Sequence, residues 1–123
     1  MAKVLLIGLE QSAAHQIGRA LGGDGHQIAN TPQLETPELL DTDIVFAGGK
    51  RSDYMPLLHR VRQAKPDLPF VVVTRVPETA DWLDALEAGA TDYCSAPFES
   101  RQLHWLMESA LPRTRTIAAS SYS

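Results

Sequence analysis

The sequence has one cysteine and no long apolar run. Cys94 alone cannot form an internal disulfide, and no Cys/His spacing resembles a metal site. The most apolar early segment, residues 4–7, is far too short for a signal-peptide core or a membrane span. We therefore expect a cytoplasmic protein that makes no membrane contact.

Basic residues are also scarce. The chain has 11 Lys and Arg against 15 Asp and Glu, and two of the arginines lie in the last twelve residues. Residues 1–111 thus hold 9 basic and 15 acidic side chains, a formal charge of −6. Nucleic-acid-binding domains present basic patches, so we expect no direct nucleic-acid binding by this domain. A length of 123 residues fits one domain with one core.

Strand and helix patterns alternate five times along the chain. No hairpin dipeptide joins consecutive strands, so the alternation predicts a single-domain α/β fold, a (βα)5 three-layer sandwich with a parallel sheet. Three continuous apolar runs are typical of strands buried on both faces, and two further segments are weaker strands. The strong runs are Lys3–Ile7, Asp43–Ala47 and Phe70–Thr74, and the weaker ones are His26–Asn30 and Tyr93–Ser95.

Helical spacing follows each strand except in Thr31–Asp41, where two prolines allow at most a short, broken helix. The second strong helix is expected to begin with Ser52 or Asp53 as its cap and to run to about Ala64, which puts Pro56 in its first turn. Residues 112–123 lack periodicity and are interpreted as a linker or disordered tail after a domain of residues 1–111. The positions expected to face the core are Ala13, Ile17, Ala20 and Leu21, then Tyr54, Leu57, Leu58 and Val61, then Leu83, Leu86 and Ala90, and finally Leu103, Leu106, Met107 and Ala110.

Residues 85–98, ALEAGATDYCSAPF, combine a helix end, a glycine stop, a short strand and a proline turn. Gly89 stands where the helix end needs a left-handed backbone, and Pro97 ends the strand because it cannot donate to a sheet ladder. This run resembles the last strand of a response-regulator receiver domain. The resemblance spans about residues 3–111 and implies a five-stranded sheet of order 2-1-3-4-5.

Receiver domains, as the resemblance implies, transfer a phosphoryl group to an aspartate at the end of the third strand. Two acidic residues hold Mg²⁺, and a lysine before the fifth-strand proline meets the phosphoryl charge. In this chain the acidic pair falls on Gly8 and Leu9, with Glu10 one residue late. The acceptor falls on Gly48 and the lysine on Ala96. Nucleophile, metal ligands and cation are therefore missing together, and we expect no bound metal or cofactor.

Two residues of the receiver pattern remain. Thr74 matches the hydroxyl residue that ends the fourth strand, and it is either a surviving switch group or a strand-end threonine bonded to local backbone. Tyr93 matches the aromatic that rotates during switching in the family, or it is simply half-buried. Arg75 follows Thr74. It reaches into the emptied pocket as a substitute cation, pairs with Glu10 or Asp53, or is a solvated loop arginine.

Two tryptophans point to a contact surface. Trp105 lies about 200° from Leu103 around a helix, so it should face outward or sideways. In receivers the fourth helix, fifth strand and fifth helix form the usual partner or dimer face. The resemblance places Trp82, Tyr93, Trp105 and His104 on or near that face. Aromatic residues are enriched in interface cores, although long neighbouring side chains are an alternative cover.

These patterns favour a pseudo-receiver that is not an enzyme and does not depend on phosphorylation. It would be a regulatory module for protein–protein interaction or dimerisation within a signalling or transcription regulator. One alternative is a flavodoxin-like domain that binds a small molecule or nucleotide in the vacated pocket, with Lys50 or Arg75 meeting a phosphate. A further alternative is an active receiver that uses Glu10 or Asp53 as a displaced acceptor.

Overall fold

The sheet has the predicted topology. The computed structural model describes residues 2–23, 25–31, 41–74, 79–95 and 100–110. All neighbouring strands pair in parallel, in the order β2-β1-β3-β4-β5, which confirms the flavodoxin-like arrangement. The strands are β1 (Lys3–Ile7), β2 (Gln27–Thr31), β3 (Ile44–Ala47), β4 (Phe70–Thr74) and β5 (Asp92–Ser95).

Four helices are described, two on each face of the sheet. They are α1 (Gln11–Gly22), α2 (Arg51–Ala64), α3 (Thr79–Glu87) and α4 (Ser100–Ala110). The buried side chains of α1 and α4 share one core layer, and those of α2 and α3 share the other. The expected broken helix falls in residues 32–40, outside the described part of the chain, as do the Pro97 turn and the tail of residues 112–123.

The core is divided by the sheet because side chains alternate along each strand. Leu6 of β1 packs with Ile17 and Leu103 on one side. Its neighbour Leu5 packs with Leu58 of α2 on the other. β3 is buried at every position, as expected for a central parallel strand covered on both faces. Across the described ranges, none of the helices has the length and apolar character needed to cross a bilayer.

Helix α2 begins earlier than predicted. It starts at Arg51 with Lys50 as its N-cap, so the expected cap at Ser52 or Asp53 is wrong. The Asp53 carboxylate reaches back from the third helical position and accepts a hydrogen bond from the Lys50 backbone N–H at 2.9 Å. The Asp53 N–H donates to the Lys50 carbonyl at 2.8 Å. This acidic residue therefore satisfies the helix start from inside the first turn.

Pro56 consequently lies in the second turn of α2 and not in the first, which corrects the prediction. A proline at this position has no N–H to donate to the carbonyl four residues earlier, at Ser52. Both residues are exposed, so that carbonyl faces water. The helix tolerates the proline because the missing hydrogen bond is on its solvent side.

Helix α3 is rotated relative to the prediction. Leu83 and Leu86 were expected to face the core, but they are 51% and 37% exposed. Ala85 is fully buried instead, and Ala88 packs against the same core layer. Alanines lie on the buried side of α3 while its larger apolar residues are outside, a reversal that hydrophobic periodicity alone cannot detect. Ala90, after the helix, is buried as predicted.

An arginine ties the end of α2 to the segments that lead into β4 and β5. Gly89 has φ +108°, which confirms the predicted left-handed stop. Arg62 donates from Nε to the Gly89 carbonyl at 2.8 Å and from Nη1 to the Leu68 carbonyl at 2.6 Å. Burial of this guanidinium lowers its pKa. These two carbonyls belong to loops and accept no hydrogen bond within a helix or strand. The guanidinium supplies the donors that secondary structure would otherwise provide.

We predict that Arg62→Met lowers the free energy of unfolding by about 2–3 kcal/mol, because it leaves two backbone carbonyls without their charged donor. Urea denaturation at neutral pH measures this change. Arg60→Met removes an exposed arginine from the same helix and should change the free energy by less than about 0.5 kcal/mol. Equal losses for the two variants would contradict the role assigned to Arg62.

Candidate functional site

A cavity of about 660 Å³ opens at the carboxyl edge of the sheet, where β1, β3 and β4 end. Ligands of doubly wound folds bind at this edge. Of the predicted pocket residues, Arg75 and Ala96 lie outside the described ranges. The cavity brings together the predicted residues Gly8, Leu9, Glu10, Gly48 and Thr74, and adds Ala13, Gly49, Lys50, Asp53 and Val73.

Two glycines let the ends of β1 and β3 approach each other. Gly8 has φ +66°, and a Cβ added to it would lie 3.2 Å from the Gly48 carbonyl oxygen. The Gly48 N–H donates to the Ile7 carbonyl at 3.0 Å, which extends the contact between the strands by one hydrogen bond. The backbone therefore occupies space that side chains would fill in another sequence.

Leu9 covers Gly48. A Cβ built on Gly48 would lie 2.7 Å from Leu9 Cδ2 and 3.1 Å from the Gly8 carbonyl oxygen. Any side chain at position 48 must therefore displace the leucine. The receiver resemblance predicted that the acceptor position falls on Gly48, but it did not reveal that a neighbouring apolar side chain lies over the position. The sequence did contain one sign of this packing. Leu9 stands where the receiver pattern has an acidic residue, and Gly48 stands where the pattern has an aspartate.

The two acidic residues of the cavity, Glu10 and Asp53, lie at the starts of different helices. The Asp53 carboxylate is engaged by the Lys50 backbone N–H, and it lies 2.9 Å from where a Cβ on Gly49 would sit. Gly49 has φ +98°, so glycine suits both its backbone conformation and its closeness to Asp53. Glu10 is exposed at the start of α1. Across the described ranges, no group of three or more His, Cys, Asp or Glu side chains is placed to hold a metal ion.

Beyond the cavity, Tyr93 is half-buried and packs against the core layer of α2, close to Tyr54. Tyr54 is only 2% exposed, and its hydroxyl has no hydrogen-bond partner within the described residues. Burial and, after it, the nearby Tyr93 raise the pKa of Tyr54 to about 12. The apolar spacing of α2 predicted that Tyr54 faces inward, but it gave no sign that the hydroxyl would lack a partner.

Cys94 is partly buried against the core layer of α1 and α4. Burial and the charge of Asp92 raise the pKa of its thiol to about 12. The thiol is therefore protonated at neutral pH, and a protonated thiol is a poor nucleophile. Cys94 therefore acts as a small packing residue.

The predicted aromatic surface is exposed. Trp105 on α4 is 61% exposed, which confirms its predicted outward direction, and Trp82 on α3 is 43% exposed. His104 is exposed next to Trp105. Helix α3 precedes β5 in the chain and helix α4 follows it, and β5 is the edge strand that carries Tyr93. The structure thus places Tyr93 on the edge strand and the other three residues on the two helices that adjoin it in sequence, one on each face of the sheet, while their use as an interface stays a prediction.

Comparison with known proteins finds similar proteins that are named as transcriptional regulators. No protein-family model matches the chain. KdpE, the KDP operon transcriptional regulatory protein of Escherichia coli, is 30% identical over 122 residues, which are 92% of this chain and 52% of KdpE. The probable transcriptional regulator ycf27 of Cyanophora paradoxa is 30% identical over 100 residues, 81% of this chain and 40% of that protein. The chain therefore spans about half or less of the length of these relatives.

Solved structures agree on the fold. A response regulator receiver domain protein from Clostridium thermocellum superposes with a TM-score of 0.78 at 21% identity, covering 95% of this chain and 99% of that one. This chain has the receiver-domain fold. HP1043, an orphan response regulator of H. pylori, gives 0.75 at 24% identity over 89% of this chain and 96% of its own. The names of the relatives and of these structures together support a response-regulator receiver domain.

In this domain, Gly48→Ala should lower the free energy of unfolding by about 1–3 kcal/mol, because the new methyl group overlaps Leu9. In a Leu9→Ala background the same substitution should cost at least about 1 kcal/mol less, since the overlapping methyl groups are gone. A urea-denaturation double-mutant cycle measures this coupling.

The matched control is Gly18→Ala. Gly18 lies inside α1, and a Cβ there has no heavy atom within 4 Å. This variant should gain about 0.5–1 kcal/mol from helix propensity. A Gly48→Ala cost that is unchanged by Leu9→Ala would contradict direct contact between the two positions.

Tyr54→Phe should make the domain more resistant to alkaline unfolding. The folded-state pKa of about 12 lies above the ordinary 10.0, so Tyr54 contributes stability below pH 10 that is lost as the pH rises toward 12. The phenylalanine variant lacks this loss, and at neutral pH it should be at least as stable because it buries no unpartnered hydroxyl. Urea denaturation at increasing pH, in a Cys94→Ala background that removes the thiol's titration, tests the prediction. Parallel pH profiles for both proteins would refute it.

Proposed function

We propose that this chain is a pseudo-receiver, a regulatory module that acts through protein contacts without phosphorylation and without catalysis. The observation that supports this proposal most directly is the 2.7 Å separation between Leu9 Cδ2 and the position of a Cβ on Gly48. Phosphoryl transfer to the third strand needs a carboxylate nucleophile at that point. Here the residue has no side chain, and a leucine occupies the adjoining space.

The surroundings of Gly48 also argue against a magnesium-dependent reaction. Mg²⁺ requires oxygen ligands in octahedral geometry. Gly8 and Leu9, at the positions of the acidic pair, offer no side-chain oxygen. Asp53 is held in the start of α2, where its carboxylate accepts the Lys50 N–H. Lys50 lines the same cavity, so a further positive charge is already present there.

A regulatory role through contacts fits both the relatives and the exposed edge of the sheet. KdpE and ycf27 carry names of transcriptional regulators and are longer than this chain. In the proposal, residues 1–111 form the receiver-like domain, residues 112–123 a linker or tail, and the output lies in another segment or protein. The contact face comprises α3, β5 and α4, with Trp82, Trp105 and Tyr93 as its aromatic residues and His104 beside them.

A second candidate function is favoured by the cavity itself. Its volume of about 660 Å³ is within the range of small-molecule sites, and Lys50 and Thr74 line it. The similar protein NtrX from Brucella abortus has been crystallised in complex with ATP. Its fold superposes with a TM-score of 0.81 at 23% identity, over 98% of this chain and 29% of the NtrX chain. A small molecule or nucleotide with a phosphate near Lys50 is the corresponding proposal for this chain.

One experiment separates these functions. Amide NMR spectra and intact mass are recorded before and after adding Mg²⁺ with acetyl phosphate, with an aspartate-containing receiver domain as positive control. We expect no added phosphoryl mass and no saturable shifts around Gly8, Gly48 and Thr74, because neither nucleophile nor metal ligands are present.

Other outcomes are informative. A phosphoryl group retained on the chain would overturn the proposal and point to Glu10 or Asp53 as a displaced acceptor. Saturable shifts with Mg²⁺ alone would overturn the loss of the metal site. Shifts around the cavity on adding ATP without Mg²⁺, lost in Lys50→Met, would instead establish the second candidate.

A further inference from the structure

Helix α3 turns its large apolar residues toward solvent. Trp82, Leu83 and Leu86 are 43%, 51% and 37% exposed, and we call these three residues the α3 stripe. They share one side of the helix because Leu86 is three residues from Leu83 and four from Trp82, and residues at these spacings are neighbours on the helix surface. The opposite side is anchored by the fully buried Ala85. A contiguous exposed apolar face of this kind indicates a contact site.

The segment that carries the α3 stripe has acidic residues but no basic one of its own. Residues 79–95, from the start of α3 to the end of β5, contain four acidic residues and no basic one. Glu87 is exposed one turn after Leu83, so it borders the stripe directly. Asp84 forms an ion pair with Arg51 of α2 at 3.1 Å, on the side of the helix turned away from Leu86. The free border of the stripe is therefore acidic.

This charge decides between two kinds of occupant. If α3 packed on α3 of a second copy, two acidic borders would be brought together, and like charges placed across an interface disfavour it. An apolar segment flanked by Lys or Arg would instead bury the three large side chains while its cations meet Glu87. Helical segments bind in this way through apolar residues spaced at i, i+3 and i+4.

We propose that the α3 stripe binds a cationic amphipathic segment of another protein. This inference rests on the proposed function, since it names the chemistry of the protein partner that such a module would contact. The apolar residues of the segment cover Trp82, Leu83 and Leu86, and its basic residues lie against Glu87. Because the attraction involves exposed charges, added salt weakens the association and slows its on-rate.

The test uses the full chain with Trp105→Phe, which leaves Trp82 as the single indole reporter. The probe is a synthetic amphipathic helix of leucine and lysine without aromatic residues, and the comparison probe carries glutamate in place of each lysine. We expect saturable fluorescence changes with the lysine peptide and none with the glutamate peptide. Leu83→Ala with Leu86→Ala should weaken binding by about tenfold or more, as loss of interface-core residues does.

A charge variant with a matched control completes the design. Glu87→Gln should weaken binding about two- to fivefold at low salt and less at high salt. Glu108→Gln, which neutralises an exposed acid on α4, should leave it unchanged. These substitutions are exposed, and the glutamine variants keep the protein testable even if the leucine pair alters stability.

Two outcomes would overturn the proposal. In the first, the leucine variant and Glu87→Gln bind the lysine peptide as tightly as the parent does. This would show that the overall negative charge of the chain, and not the α3 stripe, attracts the peptide. In the second, sedimentation shows a dimer that dissociates on Leu83→Ala with Leu86→Ala, so that the occupant is a second copy. Neither result alters the phosphodonor experiment, which decides the proposed function separately.

Discussion

The close approach of the ends of β1 and β3 is the constraint on which the site depends. Gly8 and Gly48 bring the two backbones together, and Leu9 then lies over the space beside Gly48. Within a parallel α/β sheet this is the edge where ligands usually meet side chains. Here two of the strand ends meet one another through glycine, and the nearest side chain is apolar. The chemistry available at the edge follows from that packing, because a carboxylate needs both room and solvation.

The contacts that stabilise the rest of the domain are mostly separate from the packing around Gly48. Two core layers cover both faces of the sheet, and Arg62 joins α2 to the loops that enter β4 and β5. Gly8 and Gly48 take no part in these contacts, and Leu9 contributes only as a partly buried side chain at the margin of the layer formed with α1 and α4. The fold is therefore independent of the chemistry that receivers perform at its edge, as expected when function resides in a site carried by a fold.

Much of the architecture was predictable from the chain itself. Continuous apolar runs identified β1, β3 and β4, and the residues around Gly89 predicted both the helix stop and the last strand. The strand order needed the family resemblance, since alternation alone gives a parallel sheet without an order. The errors have local causes. Asp53 caps α2 from its third position, which a search for a preceding cap misses, and α3 buries Ala85 where periodicity favoured Leu83 and Leu86.

The sequence showed which residue types stand at the receiver positions, but it did not show how those residues pack. Comparing Gly48 with the receiver pattern predicts that the nucleophile is missing, and this stays a prediction, whereas the position of Leu9 over Gly48 is visible only in the structure. Likewise the outward direction of Trp105 followed from helical geometry, whereas the exposure of Leu83 and Leu86 depended on how α3 sits on the sheet. Contacts between residues distant in sequence decide both features, and a single sequence carries no direct record of them.

The leucine over Gly48 limits which substitutions that position accepts. An aspartate introduced at position 48 alone would enter a space already filled by Leu9, and its charge would be placed against methyl groups. Positions 9 and 48 are therefore coupled, and a side chain can be accommodated at position 48 only if the residue at position 9 changes with it.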